Sequence, residues 1–301
     1  VIGSISTGVD IWRPPALDDE VATAYLRRLG LDPAAERAER PSVAQLHRLH
    51  AAHVERVPYE TVWIALGERR GMDPVEAAGH LVAGRGGYCY QLNGAFSALL
   101  TTLGYPVTWH RAGVQGQPGD PAGDSGNHLA LTTVLDGQGW WLDTGLGHGP
   151  LDPVPLVAGA FGPDDRFRLR PSDSVPGGWR FDHEPGGAFV GMDFPTTATG
   201  PTDLLDKHIE ISTSPTSGMV RVVTVQHRTP AGVRIIRGRM LSERPVAGPA
   251  TVRQLSGYAE WRALLREVFH LPLDDVPEER LRAVWQRIEA DHAAWERDRQ
   301  A

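Results

Sequence analysis

The chain has one cysteine among its 301 residues, Cys89, set in the stretch Arg85-Gly86-Gly87-Tyr88-Cys89-Tyr90-Gln91-Leu92-Asn93. Leu92, Phe96, Leu99, Leu100 and Leu103 follow it at helical spacing, and Gly104 with Tyr105-Pro106 stops the run. Cys89 therefore falls in the first turn of a helix that buries one face. Unpaired N–H groups and the positive dipole end at that position favour a thiolate, the nucleophilic form of the side chain. Gly86 and Gly87 allow a sharp turn and close approach of a ligand, and Arg85 adds positive charge nearby. A small hydrophobe packed in a core is the other reading of the same thiol.

A cysteine nucleophile needs a base, and the base needs a carboxylate to fix its tautomer. His128 and Asp143 are candidates for the two roles, because Asp136-Gly137 between His128 to Leu135 and Trp140 to Asp143 is a two-residue hairpin signal. With that turn Leu135 pairs with Gln138 and Ala130 faces Asp143. His128 is then a diagonal neighbour of Asp143 at roughly 7–8 Å between backbones, within side-chain reach. A turn shifted to Gly137-Gln138 would put Asp143 opposite Thr132 and out of reach. His110 and His148 remain rival bases at this level. His50 and His53, three apart, have no second set of ligands at metal-binding spacing, so packed histidines are expected there and no metal site.

The elements that would carry these residues divide by pattern. The first third is helical: Asp18 to Leu29, stopped by Gly30, then a helix opening at Ser42 with Gln45 in a capping-box pattern and ending at Pro58. After the Cys89 helix come short alternating runs, with Val107, Trp109 and Arg111 on one side, and a polar loop from Gly113 to Asn127. Strands are predicted at Arg166 to Arg170, Trp179 to Asp182, Ile209 to Ser212, Val220 to Gln226 and Val233 to Met240, with a long loop from Gly145 to Asp165. Two helices close the chain, Tyr258 to Phe269 and one opened by an Asp275/Glu278 capping box, whose buried face would carry Leu281, Val284, Trp285, Ile288 and Trp295.

Composition narrows the class of protein. A hydrophobic content of 41% over 301 residues suffices for a sizeable core and more than one domain. A single cysteine permits no intrachain disulfide, and no stretch has the apolar length of a membrane span. Val1 to Val9 lacks the basic and apolar regions of a signal peptide, so a cytoplasmic location is expected. Thirty Lys and Arg against 37 Asp and Glu give a net charge of −7 with the basic residues scattered, which disfavours nucleic acid and membranes as partners.

The motifs together resemble the arylamine N-acetyltransferase family. Beyond RGGYCYQLNG, the segment LHRLHAAHVERVPYE (46–60) is similar to the family's helix followed by Pro-aromatic-Glu, and NHLALTTVLDGQGWWLDTGLG (127–147) to its histidine and aspartate strands. GPLDPVPL, DRFRLR and STSPTSGM resemble later segments in the family's order. The resemblance implies an α+β fold: an N-terminal helical domain (1–105) carrying the nucleophile, a central β-barrel (106–215) carrying His and Asp, and a C-terminal α/β lid (216–301), with a cysteine-protease-like core. It implies Cys89, His128 and Asp143 as the catalytic residues, in a ping-pong transfer of an acetyl group from acetyl-CoA through an acyl-cysteine to a small arylamine or arylhydrazine. Ser212, Thr213, Ser214, Thr216 and Ser217 would contact the CoA cosubstrate, and Tyr59, Leu146 and Met219 would line the acceptor pocket.

Four positions depart from the family pattern. Gln91 replaces Glu, Thr61 replaces Asn, and Leu146 and Met219 replace aromatics. The loss of aromatic surface points to an altered acceptor pocket, and it admits an amide synthase using a larger acyl group on CoA or a carrier protein. A Cys-His-Asp hydrolase or a binding domain that keeps only the fold are the remaining readings.

Overall fold

The computed structural model describes residues 12–300, so the signal-peptide reading of Val1 to Val9 lies outside the described residues. Helices α1 (Asp19–Arg28), α2 (Pro33–Ala38), α3 (Val43–Arg56), α4 (Val62–Ala65), α5 (Pro74–Val82) and α6 (Cys89–Thr102) fill the first third, with the short strand β1 (Tyr59–Glu60) between α3 and α4. Leu26, Leu46, Leu49, Leu81, Phe96 and Leu99 form one buried cluster around α6, which is buried along nearly its whole length. Asp18, Asp32 and Asp73 each accept a backbone N–H at the start of α1, α2 and α5 and so fix where those helices begin. At α3 only half of the capping box forms. Ser42 Oγ accepts from Gln45 N at 3.1 Å, but the Gln45 side chain turns to Glu36, and Ser42 N donates to the Tyr105 hydroxyl instead. A buried partner outcompetes the local one.

Eight strands follow: β2 (Val107–Gln115), β3 (His128–Leu135), β4 (Gln138–Leu142), β5 (Val154–Pro155), β6 (Gly159–Phe161), β7 (Phe167–Pro171), β8 (Trp179–Asp182) and β9 (Gly191–Phe194). They form one sheet in the order β5-β4-β3-β2-β9-β8-β7-β6. Its two edge strands are consecutive in the chain, and the four steps from Pro155 to Gly159 span at most about 15 Å, whereas seven flat strand spacings would need about 34 Å. The sheet therefore curls into a half-barrel, its interior filled by Trp141, Phe167, Phe181 and Phe194. The turn between β3 and β4 places both Asp136 (φ 49) and Gly137 (φ 78) in the left-handed region, as a primed hairpin turn requires, and pairs Leu135 with Gln138.

The last part contains α7 (Pro201–Thr213) and α8 (Gly218–Arg221), strands β10 (Thr224–Thr229), β11 (Gly232–Arg237), β12 (Met240–Pro245) and β13 (Thr251–Gln254), then α9 (Tyr258–Glu267) and α10 (Glu278–Gln300). The second sheet runs β1-β10-β11-β12-β13, so Tyr59 and Glu60 from the helical third pair with Gln226 and Val225. Three expectations are corrected here. Ile209 to Ser212, rich in β-branched residues, lies in α7, because Pro201 at the first turn and Asp203, which accepts from Thr199 Oγ1 and Gly200 N, nucleate a helix upstream of it. Asp275 does not cap the last helix; its carboxylate is on Arg85, and the helix starts three residues later. Trp295 lies on the exposed side of α10, with Arg299 over its ring.

Candidate active site

Cys89 is the first residue of α6, preceded by extended backbone at Tyr88, and no side chain caps the helix. The glycines before it are needed for close approach. A Cβ on Gly86 would lie 2.3 Å from the Pro58 carbonyl oxygen, and Glu60 N donates to Gly87 O at 2.7 Å. Arg85 does not face the thiol, as its charge had suggested. It pairs with Glu68 and Asp275, while Arg70 bonds Gly86 O and Glu68. The charges thus clamp the turn that presents Cys89.

His128 opens β3. Asn127 just before it pairs its side-chain amide with Val114 N and O, and the Tyr90 hydroxyl bonds Gly126 O, which fixes the entry to the strand beside α6. Cys89 Sγ lies 3.7 Å from Asn127 O. His128 Nε2 is 2.8 Å from Asp143 Oδ2, leaving Nδ1 for the sulfur. Burial pushes the imidazole toward neutrality, but the Asp143 charge, the Cys89 sulfur and hydrogen bonds to both overcome it and raise the pKa to about 10. All three residues are buried, at 2–4% exposure, so the pair works in a low dielectric.

Asp143 is held on every side. Its Oδ1 accepts from Asn93 Nδ2 at 3.1 Å and Gly145 N at 2.9 Å, its N–H donates to His50 Nε2 at 3.1 Å, and its carbonyl accepts from Arg228 Nη2 at 3.2 Å. His50 Nδ1 in turn faces Leu151 O at 2.7 Å, so the geometry sets its tautomer, with Nδ1 protonated and Nε2 accepting. Burial, reinforced by Arg228, pushes His50 down to about 4, which keeps it neutral. His53 is likewise buried, packed against Tyr25 and Phe96. The rival bases lie elsewhere: His110 bonds Thr197 O and Thr132 Oγ1, and His148 sits against Glu184.

A buried thiol at an uncapped helix start, an imidazole behind it and a carboxylate behind that is the constellation of cysteine acyl-transfer chemistry. A family model described as N-acetyltransferase matches residues 42–277. The chain belongs to the arylamine N-acetyltransferase family. It is similar to the arylamine N-acetyltransferase of Mycolicibacterium smegmatis, 30% identical over 72% of this chain and 80% of that protein. To the pineal gland isozyme NAT-3 of Gallus gallus it is 31% identical, over 49% of each chain, so the match spans about half the length of that relative. The solved arylamine N-acetyltransferase of Mycobacterium abscessus superposes with a TM-score of 0.77 at 26% identity, covering 89% of this chain and 94% of that one. Neighbours of this kind have a cysteine-protease-like fold.

The remaining positions singled out by the family resemblance are spread over two regions. Tyr59 packs in the same buried cluster as Cys89, and its hydroxyl lies 3.2 Å from Met219 Sδ. Burial and the neighbouring Cys89 push the Tyr59 hydroxyl well up. Leu146 packs instead into the barrel interior with Trp141 and Phe181, one residue beyond Gly145, where a Cβ would meet Cys89 Cα at 2.7 Å. Ser212 and Thr213 end α7 with their hydroxyls on its own carbonyls; Ser214 and Thr216 bond each other in the exposed loop, and Ser217 caps α8.

Gln91 is buried with Nε2 on Gly71 O, and Thr61 exchanges hydrogen bonds with Thr224 across the two sheet-forming regions. His50 is the packed histidine the sequence led us to expect, but its contact with Asp143, like those of Asn93 and Arg228, was not among the sequence expectations. Asn93 sits one helical turn after Cys89, a spacing that could have flagged it; His50 and Arg228 reach Asp143 across 93 and 85 residues, with no local signal. His148, His183 and Glu184 also bring three ligand-type atoms within 4.8 Å of one another. Burial, then His183 and the charges of Arg228, Arg244 and Arg166, push His148 down to about 3, and the three arginines oppose a cation at this point. Among the described residues no helix is long and apolar enough to cross a membrane.

Proposed function

We propose that the protein transfers an acetyl group from acetyl-CoA to the nitrogen of an arylamine or arylhydrazine through an acyl-Cys89 intermediate. The observation that carries this reading is the line Cys89, His128, Asp143, with His128 Nε2 taken by Asp143 and Nδ1 left for the sulfur. Cys89 as thiolate attacks the thioester carbon, the carbon–sulfur bond to CoA breaks, and His128 gives its proton to the leaving thiolate. The amine then attacks the acyl carbon, His128 takes its proton, and Cys89 leaves as thiolate. The N–H groups at the uncapped start of α6 face the charge that develops on the carbonyl oxygen. An arylamine is largely neutral at pH 7 and so is ready to attack. CoA would be met by the exposed Ser214 and Thr216 hydroxyls together with Ser212, Thr213 and Ser217, and the acceptor by Tyr59 and Met219 beside the thiol.

The work divides along the chain in this proposal: residues 1–105 present the nucleophile, 106–215 supply base and carboxylate, and 216–301 cover them. Incubation with acetyl-CoA alone, followed by intact mass measurement, should show one acetyl group that is absent in Cys89→Ala. An adduct that persists in that variant would overturn the reading.

A further inference from the structure

A cavity of about 470 Å³ opens between the 148–155 segment, the turn from β6 to β7 and strands β11 and β12. Its walls carry apolar groups, with Pro150, Phe161, Val233 and Val246, and three arginines, Arg166, Arg228 and Arg244. Glu184 and Asp152 are the acidic groups in its lining: Glu184 is shared by His148 at 3.3 Å and Arg166 at 3.4 Å, and Asp152 Oδ1 lies 3.1 Å from His47 Nδ1. Arg244 gives Nη1 to the Gly186 carbonyl, a neutral partner.

Arg228 is the anomaly. Its side chain is buried, Nη2 is spent on the Asp143 carbonyl, and Nη1 has no hydrogen-bond partner. The opposing charge that acts on it is the Asp143 carboxylate, which is committed to His128. Burial lowers the guanidinium to about 10, so it stays charged at neutral pH. A buried charge with an unmet donor is destabilising unless an anion completes it. His148 Nδ1, also buried and without a partner, lines the same cavity.

We propose that this cavity binds a small organic oxyanion, a carboxylate or phosphate carried on an apolar body, with the charged end held by Arg228 Nη1 and Arg244. The volume suits a ligand of one or two rings. Cys89, His128 and Asp143 are not in its lining, and it reaches Asp143 by two contacts, Arg228 Nη2 on the Asp143 carbonyl and Leu151 O on His50, which holds Asp143 N.

Isothermal titration of the full chain with benzoate, phenyl phosphate and the neutral benzamide tests this. At least one anion should bind with a Kd of about 1 mM or tighter, and benzamide about tenfold more weakly or not at all. Whichever anion binds tighter identifies the preferred headgroup. Arg228→Gln should weaken the anion about tenfold and Arg244→Gln about threefold, as the loss of charge-assisted hydrogen bonds requires. Protein alkylated at Cys89 should bind as the free protein does. Should Arg228→Gln fail to fold, Arg244→Gln decides alone. Benzamide binding as tightly as the anions, no binding of either anion, unchanged affinity in the folded variants, or loss of binding on Cys89 alkylation would each overturn the proposal.

Discussion

Replacing Asp143 by Asn changes one atom and should disable the site, for a reason visible in the hydrogen bonds. Oδ1 accepts from two donors, Asn93 Nδ2 and Gly145 N, so the amide oxygen of an asparagine would take that position and its NH2 would point at His128 Nε2. Nε2 must then accept, Nδ1 carries the ring's one proton, and a neutral imidazole held in that tautomer cannot take the proton of the thiol to form the thiolate–imidazolium pair. The loss of the carboxylate charge acts in the same direction. His128 is raised from 6.5 to about 10 against the opposing effect of burial, a net preference of about 5 kcal/mol for the imidazolium at 1.36 kcal/mol per unit. Without the carboxylate, burial is opposed only by the Cys89 sulfur. Turnover of an arylamine should fall by about 10³ to 10⁴. Iodoacetamide alkylation of Cys89 at pH 7 should slow by at least about tenfold. The double variant with His128→Ala should be no slower than the slower single one, since the two act as a unit. Turnover within tenfold of wild type, or additive losses in the double variant, would refute the wiring.

Asn93→Ala removes one donor to Oδ1 and the acceptor of Thr144 N and Oγ1; we expect a stability loss of about 2–3 kcal/mol in urea unfolding and a lower kcat with KM little changed, and a KM effect alone would contradict this. Gly145→Ala would drive a Cβ to 2.7 Å from Cys89 Cα, so alkylation and turnover should both collapse while the barrel strands keep their circular dichroism; wild-type rates would mean the loop yields. His50 is neutral in the fold, with its pKa lowered to about 4 from 6.5, so its stabilisation is complete above pH 6.5 and is lost as pH falls toward 4, about 3 kcal/mol in all. Denaturation measured at pH 7 and 4.5 should show a smaller drop in His50→Gln than in wild type, and equal drops would reject the assignment. Leu146→Phe overfills the barrel interior beside Trp141 and should cost about 1–3 kcal/mol without improving kcat/KM for small arylamines, whereas an improvement would place that side chain at the acceptor.

The parts of the site that depend on local pattern were legible in the sequence. The Asp136-Gly137 turn fixes the β3–β4 register, and with it the approach of His128 to Asp143, because a two-residue turn leaves no freedom in the pairing. The first turn of α6 at Cys89 follows equally from the apolar spacing after it. What escaped depends on long-range competition. Gln45 abandons its capping role for Glu36 and Tyr105, and Asp275 abandons its own for Arg85, since a buried or charged partner outweighs a local bond of comparable geometry. The Ile209 to Ser212 segment shows the limit of strand propensity, where β-branched residues continue a helix already nucleated at Pro201. The second support of Asp143, from His50 and Arg228, has no spacing rule because it joins α3, the residue after β4 and β10.

The Arg85–Asp275 contact spans 190 residues, and Tyr59 and Glu60 wait for β10 to become a strand at all. On a ribosome adding about 5 to 20 residues per second, the turn before Cys89 emerges about 10 to 40 seconds ahead of the aspartate that clamps it. During that interval Arg85 has Glu68 as its carboxylate partner, and the second arm of the clamp is still missing. A translation product released before residue 275 would carry Cys89 on a turn held by Glu68 and Arg70 alone, without the contact that ties it to the C-terminal part.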